Sequence, residues 1–435
     1  MEKEFSQAEE YNQQGRSFYG LDKYKEAMDM YQKAEREDPM LIDTYLNMVE
    51  LYIITSKLND AKAVLEKVFM IDKNNGEALF HLGNIAYMEN DLEAARSYYT
   101  KSMNSGYSDP IVTYHLGSLY LDMGDLGNAL FYYGKTIKAD PYNSGARLRK
   151  IEILITQEKY EEALRGSDEL IEVRPDTFEG YHYKFVTLLG LNRAEEGNKV
   201  LEYAMELFPN DLGFVYDKIK YYEHIDNYDS ALNLINERFS EDSEGWNPIR
   251  KEKAKILFSN ESFDEAKVLL KEILSEEYDD EMCYCLMHLH IGYEEYNEVL
   301  ECCAKIIAHN SENENENEYY YSAVYYQAAC YKKMGNTVIA QQKYAEAQKL
   351  FRFACSAHHD NLILYLYRAL CYKELKNYDK AFEMIEYIIN ISDGKLSEAF
   401  YVRSLLNTDI NEEELAKADM EKALSMNKTL KEILM

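Results

Sequence analysis

In the stretch Tyr114–Met123, and again in Leu126–Lys138, apolar residues recur at spacings of three and four. That is the period of a helix with one buried face. Gly124-Asp125 separates the two stretches and Gly335-Asn336 repeats the punctuation further on, glycine being the residue that most readily ends a helix in a left-handed turn. The pattern predicts a pair of amphipathic helices joined by a tight turn.

The pair is repeated along the chain. Small residues stand at Ala27, Ala61, Ala95, Ala129, Ala163, Gly197 and Ala231, each 34 residues after the last. The register continues through Ala266, Val299, Ala340, Ala381 and Ala416, at steps of 35, 33, 41, 41 and 35. A second small column reads Gly15, Val49, Gly83 and Gly117, then Ala254, Ala328 and Ala369. A column of large residues accompanies it at Tyr31, Leu65, Tyr99, Tyr133, Leu201, Ile235, Leu270, Tyr344 and Ile385. Small residues at a helix crossing let the backbones approach, and large ones fill the space between successive pairs. One pair cannot bury its apolar face alone, so a stack of them is the domain. Pro39, Pro141, Pro175 and Pro209 close units, whereas Pro110 and Pro248 fall where a helix begins and a missing N–H costs little. The expected fold is all-α, an α-solenoid of antiparallel helix pairs with about twelve units between residues 8 and 430.

Two interruptions mark the later units. Asn310–Glu318 (NSENENENE) has no apolar surface to bury and reads as a solvated acidic loop. Phe351–Asn361 reads as a second insertion or a lengthened helix. The expected organisation is therefore an N-terminal array over 1–310, the acidic loop over 311–320, and further units with a cap over 321–435. Thr429–Met435 is the expected start of a closing helix.

Composition narrows the function classes. With 48 Lys and Arg against 78 Asp and Glu, the formal net charge is -30. Such a surface repels a phosphate backbone, which is bound through clustered cations, and an anionic membrane surface likewise. The charge either attracts a basic partner or simply keeps the solenoid soluble. No signal peptide is expected in Met1–Glu10, which is acidic and lacks an apolar core, and no apolar run is long enough to span a membrane. The seven cysteines, five of them Cys283, Cys285, Cys302, Cys303 and Cys330, form no disulfide framework for this length and suit a reducing cytoplasm. Cys283 and Cys303 are expected to face the core of one unit, and a zinc site there would need four converging thiolates. Phosphate-cradling glycine loops, zinc-protease helices and nucleophile elbows are absent from the sequence. No metal, cofactor or catalytic residue is nominated.

The succession Leu116-Gly117, Tyr120, Ala129, Tyr133 and Pro141 resembles the tetratricopeptide-repeat family. The resemblance is strong over the first seven units and looser from the eighth. It implies a right-handed superhelix in which the first helix of each pair lines a concave groove. The implied inward ladders are Asn12, Leu46, Phe80, Tyr114, Leu148, His182 and Tyr216, beside Gln13, Asn47, His81, His115, Arg149, Tyr183 and Asp217. A third adds Arg16, Asn84, Ser118 and Glu152. These residues lie outside the small columns, so packing is not expected to dictate them. Rings, imidazoles and amides suit an extended peptide. The candidate groove is therefore Asn47, Phe80, His81, Asn84, Tyr114, His115, Ser118, Arg149, His182 and Tyr183. Tyr284, Tyr325, Tyr326, Tyr367 and Tyr401 mark a further candidate surface. Family members that hold chaperone tails use a clamp of Lys, Asn and Arg; at the corresponding positions Asn12, Arg16, Asn47 and His81 only Asn47 matches, which argues against that role.

The expected function is a non-enzymatic scaffold or adaptor that grips a basic or apolar peptide or protein segment. Self-association remains open. A cytoplasmic receptor for a signalling peptide and an accessory subunit of an enzyme or secretion complex are the alternatives.

Overall fold

The structure is a computed structural model that describes residues 5–240, 246–312 and 317–427. Twenty-four helices, and no strand, are present among the described residues. The chain divides into two compact units, Met1–Ile225 and Asp226–Met435. The first holds α1 (Gln7–Tyr19), α2 (Tyr24–Glu37), α3 (Ile42–Ile54), α4 (Leu58–Ile71), α5 (Gly76–Met88), α6 (Leu92–Asn104), α7 (Pro110–Asp122), α8 (Leu126–Ala139), α9 (Ser144–Thr156), α10 (Tyr160–Val173), α11 (Phe178–Gly190), α12 (Ala194–Leu207) and α13 (Leu212–His224). The second holds α14 (Tyr228–Arg238), α15 (Trp246–Ser259), α16 (Phe263–Glu276), α17 (Asp280–Gly292), α18 (Tyr296–Glu312), α19 (Glu318–Lys333), α20 (Thr337–Ala357), α21 (Leu362–Glu374), α22 (Tyr378–Ile391), α23 (Ser397–Asp409) and α24 (Glu413–Met426). Odd-numbered helices are the first of a pair and even-numbered ones the second. Each unit is an α-solenoid of stacked hairpins, as the repeat predicts.

Local chemistry sets the boundaries. Side-chain oxygens of Asn75, Asp109 and Asn143 cap α5, α7 and α9, and those of Asp91 and Asp125 cap α6 and α8, satisfying amide groups that a helix start leaves free. Pro110 is the first residue of α7. Every turn from a first to a second helix carries one residue at positive φ: Asp22, Ser56, Asn90, Gly124, Glu158, Asn192, Asp226, Glu261, Glu294, Gly335, Lys376 and Asn411. The sharp reversal demands a left-handed residue there, and only two of the twelve are glycine.

The packing of each pair follows from the two small columns. Ala27, Ala61, Ala95, Ala129, Ala163, Ala231, Ala266, Val299 and Ala381 have no exposure at all. In three pairs a glycine of the first helix faces a tyrosine of the second. A β-carbon added at Gly83 would lie 2.4 Å from the Tyr99 ring, and one at Gly117 would lie 2.8 Å from Tyr133. Gly15 meets Tyr31 in the same way. The rings are 1 % exposed or less, so each glycine is a hole that its tyrosine fills.

Both 41-residue steps contain lengthened helices among the described residues. α18 runs 17 residues, α19 runs 16 and α20 runs 21, against 13 or 14 in most other helices. The Phe351–Asn361 segment is thus mostly the lengthened end of α20. Of the acidic segment Asn310–Glu318, residues 313–316 lie outside the described residues; its flanks are the end of α18 and the start of α19. Thr429–Met435 also lies outside them. No described helix is long and apolar enough to cross a membrane.

Glycine-to-alanine changes should carry opposite signs at different places. Gly83→Ala should lower the urea midpoint, because overpacking costs about 1–3 kcal/mol and exceeds the roughly 0.5–1 kcal/mol gained in helix propensity. Gly134→Ala, where no atom lies within 4 Å of the added carbon, should raise the midpoint by that propensity gain alone.

Candidate functional site

Within the first unit the first helices stand side by side: α1 against α3, α3 against α5, α9 against α11, and α11 against α13. All ten candidate groove residues lie on first helices: Asn47 on α3, Phe80, His81 and Asn84 on α5, Tyr114, His115 and Ser118 on α7, Arg149 on α9, and His182 and Tyr183 on α11. The structure sorts these into a buried floor, a set held from behind, and an open strip.

Phe80 and His81 form the floor, 7 % and 4 % exposed. The Phe80 ring meets His115 edge-on at 5.1 Å and Tyr99 at 5.8 Å. Packing by neighbouring rings therefore does dictate these two identities, contrary to the expectation from the small columns. Neither ring nitrogen of His81 has a hydrogen-bond partner, and burial pushes its pKa down to about 4. Burial also lowers His115.

Asn84 and Ser118 are held from the second helices. The Tyr99 hydroxyl donates to Asn84 Oδ1 at 2.8 Å, and Ser118 Oγ shares a 3.1 Å bond with the Tyr133 hydroxyl. Each tyrosine thus passes through its glycine hole and binds the residue after that glycine. At the near end, Asn47 Nδ2 donates to Asn12 Oδ1 at 2.9 Å.

The open strip begins at Tyr114, half-buried, with its ring 5.7 Å from Tyr133 and 5.9 Å from His115. Arg149 is exposed and donates through Nη1 to Glu152 at 2.9 Å. Glu152 also accepts from the Tyr183 hydroxyl of α11 at 2.7 Å, tying two repeats together. His182 stacks on Phe178 at 4.9 Å and places Nδ1 2.8 Å from Asp217 of α13. Asp217 is 3 % exposed; burial raises its carboxyl pKa, and His182 opposes that. Glu152 and Asp217 were legible as members of the ladders, but their role in fixing Tyr183 and His182 emerges only from the stacking.

In the second unit the tyrosines turn inward. Tyr326, Tyr367 and Tyr401 are buried and Tyr284 and Tyr325 half-buried. Tyr325 lies 5.3 Å from Tyr367, whose hydroxyl shares a 2.6 Å bond with Ser322. Cys283, Cys302 and Cys303 are buried and all seven cysteines are free thiols. Cys303 Sγ sits 3.5 Å from the Met287 sulfur. Among the described residues no group of three or more His, Cys, Asp or Glu side chains could hold a metal.

Two segments, 113–143 and 332–393, match models of the tetratricopeptide repeat family, the first of them spanning α7, α8 and their glycine–tyrosine crossing. Both segments are tetratricopeptide repeats. The chain is similar to TPR repeat-containing protein YpiA of Bacillus subtilis, 23% identical over 333 residues, which are 75% of this chain and 74% of that one. BBSome complex member BBS4 of Bos taurus is 26% identical over 157 residues, 36% of this chain and 30% of that protein. Among solved structures, Pseudomonas aeruginosa PilF aligns over 49% of this chain and 97% of its own, at 16% identity and a TM-score of 0.42. Tetratricopeptide repeats serve as protein-interaction scaffolds and their fold is typically non-catalytic.

The buried imidazole gives these repeats an acid-sensitive point. Because the folded chain favours neutral His81, protons bind the unfolded chain first. Its contribution is full above pH 6.5 and is lost as pH falls from 6.5 toward 4. Between pH 7 and pH 5 this one group should remove about 2 kcal/mol. His81→Leu, close in volume, should flatten the fall of the thermal midpoint over that interval.

Proposed function

We propose that this chain is a scaffold that holds a peptide or protein segment along the first-helix face of its first unit, between Asn47 and Tyr183. The supporting observation is the open strip on α7, α9 and α11, where Tyr114, Arg149, His182 and Tyr183 each already have a protein partner. Arg149 and Tyr183 converge on Glu152, and His182 is fixed between Phe178 and Asp217. Side chains fixed before binding lose little freedom on binding. Tyrosine and arginine are also the side chains that most often anchor interfaces, and the flat rings suit the apolar side chains of an extended segment.

Charge along the first helices is mixed and leans acidic. Arg16, Arg149 and Lys220 stand on the ladders with Glu50, Glu152 and Asp217, Glu77 lies within electrostatic reach of Glu50 and Asp43, and Glu179 lies within reach of Tyr183. The chain as a whole carries a net charge of -30. In this reading a basic partner is drawn in by the long-range field and retained by rings and hydrogen bonds. Seven free thiols fit a reducing compartment such as the cytoplasm.

The test is affinity purification from the source cell, followed by surface plasmon resonance with the recovered partner. Tyr183→Phe should weaken binding about fivefold, the worth of one hydrogen bond near 1 kcal/mol. Raising salt should slow association and leave dissociation nearly unchanged. Full retention of the partner by a folded Tyr114→Ala, His115→Ala double variant would remove the face from consideration.

A further inference from the structure

The second unit has a half-open cavity of about 290 Å³ where the turns of three successive hairpins meet. Three ammonium groups stand on its wall, Lys332, Lys373 and Lys376, against two carboxylates, Glu374 and Asp409. Three cations less two anions leave a local charge of +1, in a chain whose net charge is -30. Glu374 pairs with Lys332 and, at 3.1 Å, with Lys373, which also reaches Asp409 at 3.3 Å. Burial alone would neutralise Lys373 and Glu374, but their ion pairs outweigh it and keep both charged. Those four groups form a fixed frame.

Two further features point to an occupant. Lys376 has a φ of 58° and is the one cation among the twelve left-handed turn residues, the other eleven being acidic, amide, serine or glycine. It stands at the rim with no ion pair among the described residues. Tyr344, its ring packed in the core and the residue 2 % exposed, lines the same cavity. Its hydroxyl makes no hydrogen bond to a described residue and offers a donor to whatever enters.

We propose that this cavity binds a small oxyanion, the phosphate or carboxylate of a low-molecular-weight compound. The ammonium of Lys376 neutralises it, the Lys332–Glu374–Lys373 frame gives the wall its shape, and the Tyr344 hydroxyl donates to an anionic oxygen. The volume lies at the small end of ligand cavities, which favours a free small anion over a folded partner. The site is in the second unit and is independent of the strip that grips a segment in the first.

The test is isothermal titration calorimetry of the full chain with inorganic phosphate and, separately, citrate. At least one should bind saturably, with a Kd below about 10 mM. Lys376→Glu should weaken it at least tenfold. Glutamate already occupies that backbone conformation at Glu158, Glu261 and Glu294, so the turn accepts it. Tyr344→Phe, which keeps the core ring, should weaken it several-fold, and Glu261→Lys, in another turn, should leave it unchanged. Absence of saturation with both probes would overturn the proposal. So would a Lys376→Glu protein that binds like the parent, or an equal change in affinity from Glu261→Lys, which would reduce the effect to general surface charge.

Discussion

Close approach of the two helices in each pair is the constraint on which the rest of this structure depends. The small residue on the second helix is fully buried at Ala27, Ala61, Ala95, Ala129 and Ala163, leaving no room for a side chain larger than methyl in those pairs. On the first helix the same demand is met by glycine opposite a tyrosine ring at Gly15, Gly83 and Gly117. With the pair drawn this tightly, large residues are pushed out to the flanks, where they meet the next pair. Burial is thus relayed from hairpin to hairpin, and no single pair could hold its shape alone. The last described helix shows the rule from the other side: Ala416 in α24 is only half-buried, whereas its counterparts earlier in the chain are sealed.

That same crossing organises the candidate binding face. A tyrosine passing over a glycine brings its hydroxyl to the far side of the first helix, where it fixes Asn84 in one repeat and Ser118 in the next. Further along, contacts between repeats take over this role, with Glu152 holding Tyr183 and Asp217 holding His182. The face is therefore polar yet largely prearranged. Its floor, Phe80 and His81, is part of the core, and His81 keeps a neutral ring with no protein partner for either nitrogen.

The fold was nearly all legible in the sequence, because helical pairs demand a small residue at a fixed spacing and Ala27 to Ala231 keep it without a slip. The left-handed turn position was legible only at Gly124 and Gly335; Asp22, Glu158 and Lys376 adopt it under tertiary pressure, which composition does not announce. The longer steps late in the chain were visible as changes of period, but an added helical turn and an added loop consume residues alike. For the site, the ladder positions were readable and the exposure of each was not. Phe80 and Tyr114 stand one repeat apart at the same ladder position, yet one is buried and the other half-open, because Phe80 is enclosed by Tyr99, Tyr107 and His115. The cavity residues Lys332, Lys373 and Lys376 come from two adjacent repeats and converge only when the helices stack.

The central claim, that the first-helix face and not the outer helices meets the partner, is tested most directly by site-specific photo-crosslinking. A photoreactive side chain would be placed at Arg149 on α9, or in a separate protein at Phe131 on α8, whose ring is 54% exposed and lies under the Lys135 ammonium. The account predicts partner adducts from position 149 and none from position 131. Adducts from position 131 alone would contradict it.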